Sequence, residues 1–209
     1  AEESWIQNAI DNIAIKMMQK FNTSEALIFN TIQLYRNDRI EYLKALILKA
    51  RENNFFIGVK LVRGAYHKQE ISRSIEKGYS CPVHIIKEKT DDDFNNAIKI
   101  CISNIDILSV CAGTHNEISS SLLIELLKKN NISNNDNRVY FSQLLGMSDH
   151  ISYNLAKKGF NVAKYVPYGP IKDVIPYLIR RAEENTAISG QMGRELINII
   201  AEKKRRKNY

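Results

Sequence analysis

The sequence predicts an α/β fold built on a parallel sheet, and three observations carry that expectation. Runs rich in apolar and β-branched residues alternate with stretches of helical periodicity, five such runs occur, and none is followed by a G-x-G-x-x-G turn. Strand–helix alternation of this kind suits either a doubly wound sheet or a (β/α)8 barrel, and the missing glycine fingerprint weighs against the dinucleotide-binding version of the former. A barrel closes with eight strands, so the barrel alternative implies about five of eight here, with the remaining βα units upstream of residue 1. The chain opens on Ala1-Glu2-Glu3, with no initiator Met and no signal or transit segment.

Each element follows in order. Ile6, Ile10, Ile13 and Met17 recur at helical spacing, so Ser4 to Lys20 reads as an amphipathic helix with those residues on its apolar face. Ala26 to Tyr35 reads as a buried strand, and a helix capped near Asp38 carries Leu43, Leu46, Ile47 and Ala50. A second strand, Phe55 to Val62, ends in Arg63-Gly64-Ala65-Tyr66. An irregular stretch then leads to a helix with an acidic start at Asp91-Asp92-Asp93 and an apolar face of Phe94, Ala97, Ile98 and Cys101. The third strand, Ile105 to Cys111, precedes a helix bearing Ile118, Leu122 and Leu126. The fourth, Val139 to Leu145, precedes one bearing Ile151 and Leu155. The fifth, Phe160 to Val166, turns at Pro167-Tyr168-Gly169-Pro170 into a helix from about Lys172 to Asn185, and a last helix spans Met192 to Lys204.

Composition narrows the function classes. The 209 residues are 44% hydrophobic and 25% charged, a globular profile, and no uncharged apolar stretch approaches the roughly 18 residues of a membrane span. Three cysteines, Cys81, Cys101 and Cys111, are too scattered for a disulfide framework or a metal site and read as small buried hydrophobes. The net charge of +7 owes five charges to the terminal run Lys203 to Lys207, so 203–209 reads as a basic tail and nucleic acid is not an expected partner.

In parallel α/β folds ligands bind at the carboxyl ends of strands. There Gln33 shares a parity with Thr31 and Tyr35, and Lys60 shares one with Val62 and Gly64. A lysine in mid-strand of a buried sheet is costly unless it meets an acceptor, or lies on an edge and reaches solvent. Arg63-Gly64-Ala65 combines a guanidinium with small residues that let backbone N–H groups approach a phosphate. Thr114-His115-Asn116 adds three hydrogen-bonding side chains at a helix start, where the dipole favours anions. His67, His84 and His150 have no comparable setting, and no pair has metal-ligand spacing. On the helix after the fifth strand, Tyr177, Arg180, Arg181 and Glu184 fall at i, i+3, i+4 and i+7, a stripe that suits carboxylate recognition or, more plainly, a solvated face with a surface ion pair.

Taken together, Gly58-Val-Lys-Leu-Val-Arg-Gly-Ala-Tyr66, Thr114-His-Asn116, Phe141-Ser-Gln-Leu-Leu-Gly-Met147, Lys164-Tyr-Val-Pro-Tyr-Gly-Pro170 and Pro176-Tyr-Leu-Ile-Arg-Arg-Ala-Glu-Glu-Asn185 resemble proline dehydrogenase of the eukaryotic mitochondrial branch. The resemblance runs from Ala1 to about Asn185. It implies a TIM-type (β/α)8 barrel, incomplete here, with 1–209 as the carboxyl-terminal part of a single catalytic barrel. It further implies FAD-dependent oxidation of L-proline to Δ1-pyrroline-5-carboxylate, a quinone as electron acceptor, and peripheral association with the matrix side of the mitochondrial inner membrane.

Carried over by position, the resemblance puts Gln33 and Lys60 near the isoalloxazine, and Val62, Arg63, Gly64, Thr114, His115 and Asn116 along the rest of FAD. Ala65, Tyr66, Leu144, Tyr165 and Tyr177 would wall the proline ring. Arg180 and Arg181 would clamp the carboxylate, with Glu184 orienting them. Bacterial members often carry Arg where Lys60 stands, and relatives that oxidise hydroxyproline tend to carry a smaller residue in place of Tyr165, so the tyrosine favours proline. Relatives have an Asp directly before the position of Ala1, and an upstream Lys, in the active site. Five strands leave unpaired edges and an open flavin site, so the 209 residues alone are expected to show weak or no activity. A non-catalytic fragment, or a phosphate-ester enzyme or nucleic-acid binder on a basic barrel, are the competing expectations.

Overall fold

The computed structural model describes residues 2–187, 200, 201 and 203–206. The elements run α1 (Ser4–Phe21), β1 (Phe29–Gln33), α2 (Arg39–Asn53), β2 (Ile57–Val62), α3 (His67–Lys77), α4 (Lys87–Ser103), β3 (Leu108–Gly113), α5 (Glu117–Lys129), β4 (Val139–Leu144), α6 (Asp149–Lys157), β5 (Val162–Tyr165) and α7 (Ile171–Ala187). The chain divides into two compact units. The first comprises Ala1–Gln143 with Asp149–Lys164, and the second Leu144–Ser148 with Tyr165–Tyr209. The expected last helix lies largely outside the described residues, of which 200, 201 and 203–206 are helical.

The five strands form one sheet in the order β1-β2-β3-β4-β5, with β1 to β4 paired in parallel. A doubly wound sheet reverses its strand order at a switch point. No reversal occurs here, and consecutive strands added in one direction are how a barrel wall is built. Alternation along each strand separates two faces. Ile32, Ile57, Val59, Leu61, Leu108, Val110, Ala112, Val139 and Phe141 enter the apolar core with Leu43, Leu46, Phe94, Ile98, Leu123 and Leu127 from the helices. The opposite parity, Thr31 with Lys60, Cys111 and Tyr140 in one register row, turns away from that core. Thr31 and Lys60 share this parity with Gln33 and Val62, as the alternation predicts.

Four local expectations are corrected. The stretch after Tyr66 is not irregular throughout, because α3 occupies His67–Lys77. Its inward positions are Glu70 and Ser74 while Ile75 is exposed, so it carries no apolar period to read. Helix α4 starts at Lys87, ahead of the acidic run, and Asp91 and Asp93 serve as ion-pair partners on its side rather than as its start. Helix α1 has the expected span but the opposite orientation. Gln7 and Asp11 are buried, whereas Ile6, Ile13 and Met17 are 43%, 62% and 38% exposed. Helix α5 buries Ser119, Ser120, Leu123 and Leu127, and leaves Ile118 73% exposed.

The orientation of α1 has an electrostatic cause. Asp11 Oδ2 accepts from Arg39 at 2.7 Å, and its Oδ1 accepts from Gln7 Nε2 and Asn30 Nδ2, each at 2.8 Å. The two charged side chains of that pair are only 5% and 6% exposed, and Arg39 also holds Asp38 and lies over the Tyr42 ring at 4.5 Å. Burial, with the Asp11 charge added, pushes the Tyr42 hydroxyl up to about 12. A carboxylate this buried must face its cation and donors, and the helix turns to satisfy it.

Candidate active site

In the first unit the expected residues gather at the carboxyl ends of β1, β2 and β3. Gln33 and Val62 are register partners, and Lys60 lies two residues earlier on the same face, between Thr31 and Cys111. A Cβ at Gly113 would come within 3.2 Å of Lys60 Cε and 3.0 Å of the Leu61 carbonyl oxygen, so the bare glycine leaves room for the lysine to lean over β3. Gly64 has φ +134°, and a Cβ there would collide with the Tyr35 ring. The turn after β2 thus requires glycine on both counts.

Gln33 is 2% exposed, and both ends of its amide are engaged. Nε2 donates to the Glu2 carbonyl at 2.6 Å and Oε1 accepts from Ala65 N–H at 3.3 Å. The glutamine thereby links the chain before α1 to the turn after β2.

Arg63 spends its donors inside the protein. Nε donates to Asp91 Oδ1 at 2.5 Å, Nη1 to Thr114 Oγ1 at 2.7 Å and Nη2 to Ser119 Oγ at 3.0 Å, with the guanidinium 4.4 Å from the Phe94 ring centre. Burial alone would raise the Asp91 carboxyl, but hydrogen bonds from Lys87 and Arg63 hold it below the usual carboxylate range. The arginine therefore pins the end of β2 to α4 and to the start of α5.

At that start Thr114 Oγ1 accepts from Asn116 N–H at 3.1 Å, and Asn116 caps α5 by accepting from Ser119 N–H at 3.0 Å. His115 between them is lowered to about 4, by burial first and by the Lys164 charge second, so its imidazole is neutral at pH 7. The loop thus presents a neutral imidazole beside the amino end of a 13-residue helix, which suits the acceptor oxygens of a phosphoester.

In the second unit Leu144 is buried, and Tyr165 and Tyr177 meet edge to face at 5.9 Å between ring centres, with the Arg181 guanidinium 5.1 Å from the Tyr177 ring. An aromatic pair backed by a guanidinium suits a small apolar ring carrying a carboxylate. The side chains of Arg180 and Glu184 lie outside the described residues.

The proline dehydrogenase family model matches residues 1–194. The chain belongs to that family. It is 36% identical over 99% of its length to the protein named proline dehydrogenase 1, mitochondrial, of Drosophila melanogaster, and 37% identical over 93% to its namesake of Homo sapiens. It spans about a third of these relatives, 32% and 33% of their lengths. Among solved structures, proline utilization A from Bdellovibrio bacteriovorus, inactivated by N-propargylglycine, superposes with a TM-score of 0.83 at 24% identity, over 88% of this chain and 19% of that one. A proline utilization A structure with proline bound in remote sites gives 0.78 at 25% identity, over 91% and 19%. The α/β fold is therefore the TIM-barrel type of the proline dehydrogenase family.

Within this family member, sequence reasoning missed several residues that hold the site. Gln143 donates from Nε2 to the Thr114 carbonyl at 3.2 Å and is itself held by Ser152 Oγ at 2.9 Å. Asp91 holds Arg63, and Lys164 pairs with Asp149 at 2.7 Å. A glutamine inside an apolar run was the one available signal, since a buried amide must be satisfied. Among the described residues no cluster of three His, Cys, Asp or Glu side chains could hold a metal ion. No described helix is long and apolar enough to cross a membrane.

Proposed function

We propose that the chain carries five βα units of a barrel that oxidises L-proline to Δ1-pyrroline-5-carboxylate with FAD, as the carboxyl-terminal part of that catalytic barrel. The observation that carries the proposal is Lys60. It stands in mid-strand on the helix-free face, two residues before Val62 and on the same face as Gln33, with Gly113 clearing its path. An ammonium at that position suits a redox cofactor with acceptor atoms.

The residues present fit FAD. Small side chains at Cys111, Gly113 and Ser142 line the face of β3 and β4 that turns away from the apolar core, beside Lys60. The amino end of α5 with Thr114, His115 and Asn116 offers donors for the pyrophosphate, and the Gly64 backbone can approach it closely. When bound, FAD supplies the two-electron acceptor. Lys60 brings a positive charge to the acceptor side of the ring system, Val62 and Gly64 shape its edge, and Arg63 contributes by fixing Thr114 and the first turn of α5. Ala65, Tyr66, Leu144, Tyr165 and Tyr177 exclude water from the proline ring. Arg180 and Arg181, oriented by Glu184, hold its carboxylate so that the hydride-bearing carbon is presented in one orientation.

The names of the relatives support a mitochondrial location, and we extend the proposal to electron delivery to a quinone at the matrix face of the inner membrane, with 203–209 as a basic tail. The exposed Ile6, Ile13 and Met17 on α1, beside a β1 edge with no neighbour among the described residues, favour a further βα unit at that side, so the 209 residues alone are expected to be weakly active or inactive. The test is the full-length product of the gene, purified and examined anaerobically. Flavin absorbance that is bleached by L-proline and protected by tetrahydrofuroate supports the function. A colourless protein, or a flavin that proline does not reduce, overturns it.

A further inference from the structure

We infer that Glu70 is a positioning residue for the substrate wall, acting through the first turn of α1. This rests on the proposed proline site. Glu70 is a fully buried carboxylate on α3, in the turn that directly follows Ala65 and Tyr66. Its Oε1 accepts from Ser4 N–H at 2.6 Å and its Oε2 from Ser4 Oγ at 2.7 Å, so a full negative charge sits at the amino end of an 18-residue helix. A carboxylate at that position complements both the helix dipole and the two donors.

The contact matters because of what lies on either side of it. Two residues before Ser4, the Glu2 carbonyl accepts from Gln33 Nε2, and the same glutamine accepts from Ala65 N–H. The chain from Ala65 through Glu70, Ser4, Glu2 and Gln33 back to Ala65 is therefore a closed circuit of hydrogen bonds and short backbone. Glu70 is the member whose side-chain carboxylate ties α3 to the start of α1. The Tyr35 ring packs under Gly64 in the same place, and burial together with the Glu70 charge raises its hydroxyl well above the ordinary range. Cutting the circuit at Glu70 lets the 64–66 turn shift while leaving Lys60, Thr114 and Asn116, which use other contacts, where they are. Arg73, one turn further along α3, stacks on the half-exposed Trp5 at 4.2 Å. It joins the same two helices outside the circuit and is the natural control.

The experiment compares Glu70→Ala, Glu70→Gln and Arg73→Ala in the full-length protein by flavin content, tetrahydrofuroate affinity and amide hydrogen exchange. Glu70→Ala is expected to weaken tetrahydrofuroate about tenfold with flavin per chain unchanged. Glu70→Gln, which keeps an acceptor for Ser4 N–H, should fall between Glu70→Ala and the wild type, and Arg73→Ala should stay within twofold of the wild type. Exchange at Ala65 and Tyr66 should accelerate about tenfold in Glu70→Ala relative to Arg73→Ala. Equal affinities in Glu70→Ala and Arg73→Ala, or flavin lost in step with the ligand, overturn the role. A wild-type protein that binds neither flavin nor tetrahydrofuroate defeats the proposed function instead. The exchange comparison then decides the circuit by itself, and equal protection at Ala65 and Tyr66 in the two variants would reject it.

Discussion

Helices α1 and α5 both bury polar residues while leaving some large apolar ones exposed, yet the forces that set their orientations differ. On α1 the inward residue is Asp11, and its cation Arg39 is as buried as it is, at 5% and 6% side-chain exposure. On α5 the inward residue is Ser119, a neutral hydroxyl held by Arg63, whose carboxylate partner Asp91 and own guanidinium are 23 to 25% exposed. The first is a buried charge pair that joins α1 to α2. The second is a half-solvated hub at the mouth of the candidate site. The contrast teaches that an arginine beside a strand end can act on the site indirectly, by fixing the helix start that a ligand meets.

The largest break in this comparison is Asp11→Ala. It leaves the buried Arg39 with Asp38 as its remaining carboxylate and strips two amide donors of their acceptor, so about 3 kcal/mol of stability should be lost. For a chain of this size that lowers the melting temperature by roughly 10 °C. Arg63→Met removes three hydrogen bonds but leaves Asp91 with Lys87 and partly in water, so the expected loss is smaller, about 2 kcal/mol. Denaturant titration of both variants decides the ranking. An Arg63 variant as damaged as Asp11→Ala would mean that the hub at the mouth is as buried energetically as the α1 pair.

Acid titration sharpens the contrast within the mouth itself. His115 is lowered to about 4 in the fold from an ordinary value near 6.5, so between those pH values the unfolded chain binds the extra proton and stability falls as pH drops. The loss is at most about 3 kcal/mol and is complete below the folded value. Asp91 is also lowered, so its contribution is present above the ordinary carboxyl value and disappears at lower pH, as the carboxyl titrates in the fold. His115→Gln should flatten the stability profile from pH 6.5 to 4 while leaving the more acidic limb intact. A profile unchanged in the upper window would show that the imidazole is not buried as a neutral ring.

Much of this was legible in the sequence, for definite reasons. Runs rich in apolar and β-branched residues located all five strands because most core-facing positions are apolar, and the parity that carries Gln33 and Lys60 followed at once. Thr114-His115-Asn116 was legible because a polar triplet between a strand and a helix has few structural uses. Helix α3 was not, since its buried side is a glutamate and a serine and it offers no apolar stripe. Nor was the direction of the Arg63 side chain, because Asp91 and Ser119, which claim it, are 28 and 56 positions away. Distant partners likewise explain the exposed Ile6 and Ile13 on α1 and the exposed Ile118 on α5, since Arg39 claims Asp11 and Arg63 claims Ser119.

The smallest predicted effect tests that last point directly. Helical spacing puts Ile118 on the same stripe as Leu122 and Leu126, and an isoleucine buried there would cost about 2–5 kcal/mol on truncation to alanine. The structure leaves it 73% exposed, because Ser119 must face Arg63 and Asn116 must cap the helix, which rotates the next position outward. Ile118→Ala should therefore change stability by no more than about 0.5 kcal/mol, whereas Leu123→Ala, fully buried four positions beyond Ser119, should lose several times as much. Repeating Ile118→Ala in the Arg63→Met background gives the decisive measurement. If Arg63 sets the rotation of α5, releasing it lets Ile118 seek the core, and the alanine substitution becomes measurably more costly there than in the wild type.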